Sequence, residues 1–93
     1  MIASFKDRET QKLWDTGKSR RIPAKIARVA ARKLAMLNNV NQVELLRIPP
    51  ANRLERLSGD RKGQFSIRIN DQYRICFVWR DGNAYEVEIV DYH

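Results

Sequence analysis

Asp91, Tyr92 and His93 place an acid, a phenol and an imidazole at consecutive positions. His93 is the one histidine of the chain, and an imidazole titrates close enough to neutral pH to take or give a proton there. Arginine complements such a group at a phosphate, because its planar guanidinium matches phosphate oxygens in pairs. The chemistry that suits this set is phosphodiester transfer in RNA. A base removes the proton of a 2′-hydroxyl, an acid supplies one to the leaving 5′-oxygen, and arginine stabilises the charge that grows on the phosphorane. Tyr92 would stack on a base or orient the phosphate, and Asp91 would hold the imidazole or act as a base.

Strands must position these groups. Gln64 to Ile69 alternates, with Phe65, Ile67 and Ile69 on one face and Ser66 and Arg68 on the other. Tyr73 to Trp79 puts Tyr73, Ile75, Phe77 and Trp79 on one face and Arg74, Cys76 and Val78 opposite. Ala84 to Val90 puts Tyr85, Val87 and Ile89 on one face, with Glu86 and Glu88 opposite. Residues opposed across an antiparallel pair point to the same side, so the apolar rows coincide only in certain registers. Ile67 should oppose Ile75 around a loop of Asn70-Asp71-Gln72, Ile75 should oppose Ile89, and Phe77 should oppose Val87. The last hairpin then needs an odd loop, most simply Asp81-Gly82-Asn83 with a bulge.

In this register Arg68 stands directly opposite Arg74 on the polar face. Two like charges so placed are unfavourable unless an anion joins them. Glu88, diagonal to Arg74, would make this a surface Arg–Glu cluster; a bound phosphate would make it a site. The last strand returns past Tyr73 and Arg74, which should bring Asp91, Tyr92 and His93 near the two arginines.

The rest of the chain reads as the layer that covers the apolar face. Met1 to Phe5 is expected to open as a strand. A helix capped by Ser4 or Asp7 runs to about Thr16, with Leu13 and Trp14 inward and Gly17 as a left-handed stop. A basic loop containing Arg20 and Arg21 follows. Pro23 opens a second helix, whose buried stripe is Ile26, Val29, Ala30, Leu34 and Leu37. Lys25, Arg28 and Arg32 form a basic ridge on another face, either a solvated surface or a contact for phosphates or an acidic partner. Asn38 and Asn39 end this helix, Val43 to Leu46 forms a short helical turn, and Pro49-Pro50 closes it. Arg53 to Leu57 is expected to be a strand, and Ser58 to Gly63 a turn.

With 93 residues the chain is expected to form one domain over residues 1–93. Its net charge of +7 favours polyanions, most often nucleic acid, over a protein that is merely basic or one half of a complex with an acidic partner. Cys76 is the one cysteine, which excludes an intramolecular disulfide and fits a small apolar sheet residue in a reducing cytoplasm. The longest apolar run, Ile75 to Trp79, is far too short to span a membrane, and no signal-peptide pattern opens the chain. No zinc-ligand spacing, phosphate-cradling glycine loop or serine-nucleophile motif is present, so neither metal nor cofactor is expected.

In combination, the segments Met1-Ile2 through Phe5, Asn52-Arg53-Leu54-Glu55-Arg56-Leu57-Ser58-Gly59-Asp60-Arg61, Ser66-Ile67-Arg68-Ile69, Tyr73-Arg74-Ile75-Cys76-Phe77 and Val87-Glu88-Ile89-Val90-Asp91-Tyr92-His93 resemble the HigB toxins of the RelE/ParE superfamily. The resemblance covers nearly the whole chain. It implies an α+β, RelE-like fold, a mostly antiparallel twisted sheet with two N-terminal helices packed on one face. It implies a toxin of a type II toxin–antitoxin pair that cleaves mRNA in the ribosomal A site without metal. Its partners would be a cognate HigA-type antitoxin and the 70S ribosome with its mRNA, with operator DNA bound only through the antitoxin complex. The family's catalytic roles fall on Asp91, Tyr92 and His93, with Arg74 as the phosphate-stabilising arginine. The expected RNA and ribosome contacts are Arg68, Arg53, Arg56, Arg61 and Lys62, with Arg20, Arg21, Lys25, Arg28 and Arg32. The chain departs from the pattern at Glu55, where some members carry a histidine, and at Ser58, where a lysine precedes the family's glycine.

Two other classes fit parts of the pattern. A non-catalytic RNA- or DNA-binding module explains the charge but leaves His93 without a task. A toxin that inhibits a protein target, as ParE-type toxins do, is at odds with the Asp-Tyr-His ending.

Overall fold

The computed structural model describes residues 1–91; Tyr92 and His93 lie outside the described residues. Helix α1 (Arg8–Thr16) starts where the Asp7 carboxylate accepts the Thr10 amide at 2.7 Å. It ends where Gly17, at φ 81°, donates to the Leu13 carbonyl at 2.8 Å. Asp7, and not Ser4, is therefore the cap. Helix α2 (Ala24–Asn39) follows Pro23, whose carbonyl accepts the Ile26 and Ala27 amides. Its stripe is inward as the spacing requires: Ile26, Ala30, Leu34 and Leu37 are buried, and Val29 is partly so.

Four strands, β1 (Glu55–Arg56), β2 (Gln64–Arg68), β3 (Tyr73–Arg80) and β4 (Asn83–Asp91), form an antiparallel sheet in chain order. The two helices pack on its apolar face. Leu13, Leu34, Leu37, Ile67, Ile75, Phe77 and Val87 meet there without solvent exposure, each such burial contributing roughly 1.5–3 kcal/mol before entropy is counted. Between α2 and β1 the chain makes 3₁₀ turns at Val43–Arg47 and Pro50–Asn52. The buried Asn52 fastens them: its amide donates to the Leu46 carbonyl at 3.1 Å, and its oxygen accepts the Lys33 ammonium.

The expected registers hold where Ile67 opposes Ile75, Arg68 opposes Arg74 and Ile75 opposes Ile89. The last hairpin differs. Arg80 pairs with Asn83, so the loop is the two residues Asp81 and Gly82, both at positive φ (53° and 80°), the backbone of a tight hairpin turn. The odd residue sits inside β4 instead, at Glu86 (φ 53°), where the register shifts between Cys76 and Val78. Beyond this bulge the faces exchange. Ala84 opposes Trp79 and is buried, while Tyr85 opposes Val78 and lies beneath the Arg80 guanidinium, 4.3 Å from its ring centre. Tyr85 thus leaves the face of Val87 and Ile89 to which alternation assigns it.

The same bulge shortens the opening strand. Ile2 and Phe5 make only isolated parallel bridges to Ala84 and Val87, on either side of Glu86, whose amide turns to the Ser4 hydroxyl. The expected strand over 53–57 is reduced to Glu55–Arg56, because Arg53 takes a left-handed conformation (φ 45°) that no strand continues. Among the described residues no helix is long and apolar enough to cross a membrane.

Candidate active site

Alternation in β1 to β4 brings Glu55, Ser66, Arg68, Arg74, Cys76 and Glu88 to the face away from the helices. Arg74 is the fixed point. Its side chain is only 9% exposed, yet it is held by polar groups on several sides. Nε donates to Ser66 Oγ at 2.8 Å, and Nη2 donates to the Arg53 carbonyl at 2.7 Å. Glu55 Oε1 lies 3.2 Å from Nη2. The left-handed turn at Arg53 that stops β1 is what aims this carbonyl at the guanidinium. Ser66 was not singled out from the sequence; a small hydroxyl on the strand diagonal from a buried arginine is the signal that would have found it.

The carboxylate expected diagonal to Arg74 is engaged elsewhere. Glu88, 14% exposed, accepts a hydrogen bond from Arg61 Nη1 at 2.9 Å and forms an ion pair with Lys6 Nζ at 3.3 Å. Arg61 belongs to the 3₁₀ turn Gly59–Arg61, so Glu88 ties that turn and the N-terminal segment down onto the polar face. The carboxylate beside Arg74 is Glu55, the departure from the family pattern. Lys6 was missed because the parallel bridges that bring it to β4 leave no local pattern. Arg68, directly across from Arg74, bonds the exposed Asp71 of its own hairpin loop. Cys76, opposite Glu88, is fully buried; desolvation pushes its thiol pKa up, and the nearby Arg61 pulls against that only in part. It behaves as the sheet residue the sequence suggested.

The other expected residues divide by position. Asp91 opposes Tyr73, on the face of Ile75 and Ile89, whereas Arg74 opposes Val90 on the polar face. The Asp91 carboxylate accepts Gln72 Nε2 at 3.1 Å. The strand therefore delivers Asp91 to the margin of the site, beside Arg74 along the sheet and on the other side of it. Tyr92 and His93 follow it in sequence and lie outside the described residues. Arg53 reaches the site through its carbonyl. Arg56 opposes Phe65 and so belongs to the helix-side face, its guanidinium 5.2 Å from the Phe65 ring centre. Lys62 is exposed beyond the Gly59–Arg61 turn.

Lys25, Arg28 and Arg32 are exposed along α2, as the ridge predicts. Burial holds the Lys33 pKa below its ordinary value, and Arg32 and Arg68 add to the shift. Arg20 and Arg21 are partly neutralised by α1: Arg21 bonds Asp7 at 3.0 Å, and Arg20 lies 3.8 Å from Glu9. A hydrogen bond from Ser19 holds the Glu9 carboxyl below its usual pKa, so this anion persists beside the loop. Among the described residues, no group of three or more histidine, cysteine or acidic side chains is arranged to hold a metal.

The family model described as the RelE-like toxin of the type II toxin–antitoxin system HigB matches residues 3–93. Toxin HigB-1 of Vibrio cholerae serotype O1 is 44% identical over 85 residues, 90% of each chain. Endoribonuclease HigB of Proteus vulgaris is 32% identical over 94 residues, 100% of each chain. In fold, the chain is similar to a solved YoeB–YefM complex from Staphylococcus aureus, with a TM-score of 0.59 at 14% identity, covering 100% of this chain and 98% of the other. The chain belongs to the HigB-like toxin family: it is a RelE-like toxin of a type II toxin–antitoxin system, whose partner is an antitoxin.

Proposed function

We propose that this member of the HigB-like family is an endoribonuclease that cleaves mRNA in the ribosomal A site by general acid–base catalysis, without metal. The observation that carries the reading is the clamp on Arg74. Ser66 Oγ and the Arg53 carbonyl fix the guanidinium on the polar face before any substrate arrives. A cation held in place stabilises the negative charge of a phosphorane at no cost of reorganisation. The endoribonuclease named among the relatives supports the same chemistry.

In the proposed reaction the 2′-oxygen attacks the adjacent phosphorus as a base takes its proton. The P–O5′ bond breaks as an acid protonates the leaving oxygen, giving a 2′,3′-cyclic phosphate and a 5′-hydroxyl. His93 serves one of these transfers, Asp91 the other or the orientation of the imidazole, and Tyr92 the placement of phosphate or base. Arg74 carries the phosphorane charge. Glu55, 3.2 Å from Arg74 Nη2, offsets part of the attraction at Arg74, so positive charge from Arg68 and Arg61 matters more here than in a relative with histidine at that position. The exposed cations of α2 and the Arg20–Arg21 loop contact ribosomal RNA. The antitoxin is of the HigA type, the ribosome is the 70S particle, and the toxin reaches operator DNA only through the antitoxin complex.

Primer extension on a defined mRNA, with and without translating ribosomes, tests this. Cuts at codon positions that require ribosomes are expected. Cuts on naked RNA keep the chemistry and remove the ribosome from it. No cuts in either case, from folded protein, overturn the nuclease in favour of a binding module or an inhibitor of a protein target.

A further inference from the structure

Resting on the reading of the polar face as an RNA site, we propose that a groove on the other side of β1 is a nucleobase subsite for the same RNA strand. The groove is a cavity of about 590 Å³ lined chiefly by Val43, Arg56, Leu57, Lys62, Phe65 and Trp79. Phe65 and Trp79 are only partly buried. The fully buried Phe77 supports both rings, stacked on Phe65 at 6.1 Å and edge-on to Trp79 at 6.3 Å. Phe65 lies under the Arg56 guanidinium, 5.2 Å from its ring centre, so the aromatic surface left to the groove is chiefly that of the partly buried Trp79.

The charge of the groove selects its occupant. Among the described residues no acidic side chain lines it, and both Arg56 and Lys62 are exposed. Among the described residues neither of these cations makes an ion pair. A nucleotide needs a flat apolar surface for its base and cations for its flanking phosphates, and the groove supplies both. Such a site is tolerant of sequence, because every base has a π-face and the described lining holds few hydrogen-bond readers.

Topology joins this groove to the polar face. β1 is a two-residue edge strand: Glu55 turns to Arg74 on one side, and Arg56 turns to Phe65 on the other. The next turn repeats the division, since Arg61 ties to Glu88 on the polar face while Lys62 lines the groove. An RNA strand lying at Arg74 and continuing over this short edge meets Arg56 and Lys62, with the aromatic floor beneath. An acidic peptide would satisfy the cations but has no reason to follow that path.

Trp79 is a built-in reporter once Trp14→Phe makes it the sole indole. The experiment titrates this variant with a short single-stranded RNA and with an abasic ribose-phosphate oligomer of equal length, following Trp79 fluorescence and oligomer anisotropy. Quenching by the base-bearing RNA is expected, with the abasic oligomer binding about tenfold more weakly. Arg56→Ala and Lys62→Ala, both at exposed positions, should weaken both oligomers, since each cation meets phosphate, whereas Trp79→Leu should shrink the difference between them; measured by anisotropy on protein that keeps Trp14, these variants keep the test independent of Trp14→Phe. Equal binding of both oligomers, RNA binding without a Trp79 response, or no RNA binding overturns the subsite. A Trp79 response to an acidic peptide but not to RNA assigns the groove to a protein partner and overturns it as well. Cleavage is assayed separately, by primer extension with translating ribosomes: base-dependent binding without cleavage there supports the subsite and removes the nuclease, whereas cleavage with base-independent binding does the reverse.

Discussion

Arg74 and Arg28 carry the same guanidinium in opposite circumstances. Arg74 is 8% exposed and bonded to Ser66 and to the Arg53 carbonyl, whereas Arg28 stands in solvent on α2 beside Lys25 and Arg32. A fixed, desolvated cation acts strongly at one point and is suited to charge that appears only in a transition state. Exposed cations on a helix act weakly at each point but over a long range, and salt screens them. On the proposed reading the molecule separates a place that supports chemistry from a surface that draws a polyanion in, and each substitution below should affect one without the other.

The largest effect is expected at the end of the chain. His93→Ala should reduce cleavage by about 10²–10⁴-fold while leaving RNA affinity and its salt dependence intact. Toxicity that survives this change removes the proton-transfer role. Arg74→Lys comes next, with an expected loss of about 10²–10³-fold in single-turnover rate. A lysine cannot bond Ser66 and the Arg53 carbonyl in the geometry of a planar guanidinium, so charge alone should not rescue the rate. Full activity in Arg74→Lys would mean that the clamp is irrelevant to function.

The ridge should respond differently. Replacing Lys25, Arg28 and Arg32 together with alanine should weaken ribosome binding and lower the slope of log affinity against log salt by roughly 2–3. The cleavage rate of bound substrate should not change. An unchanged slope would show that the ridge does not meet RNA and leave it for the antitoxin.

The smallest effect concerns Lys33, next to Arg32 on the same helix but buried. Desolvation lowers its pKa below the ordinary 10.5, and Arg32 and Arg68 add to the shift. Between the lowered value and 10.5 the unfolded chain binds more protons than the folded one, so folding stability gains from this group as pH rises through that window. Urea-unfolding midpoints should show that rise, and Lys33→Met should flatten it. Identical pH profiles for the two proteins would show that Lys33 titrates as an ordinary lysine.

Much of this arrangement was legible in the chain. The alternation of Ile67, Ile75 and Ile89 determined which rows must coincide, and the pairing of Arg68 with Arg74 followed from it. The hairpin loop was not legible. Asp81-Gly82 in a tight turn plus a bulge at Glu86 satisfies the same apolar pairing as a three-residue loop, and the two differ only in where the extra residue is stored. That choice moved Tyr85 to the polar face and drew the N-terminal segment, with Lys6, toward Glu88. The face of Arg56 was equally hidden, because the reduction of the strand to Glu55–Arg56 depends on the backbone at Arg53.

Residue type and period, which are local, determined by themselves the two helices, the alternating faces of the sheet, the basic excess and the family resemblance. Only the tertiary structure decided that Glu55 meets Arg74 while Glu88 serves Arg61 and Lys6. A carboxylate's partner depends on the meeting of segments distant in sequence, here β1 with β3 and the Gly59–Arg61 turn with β4. Those meetings are set by one bulge and one left-handed residue, whose conformations the packed core selects and no local pattern announces.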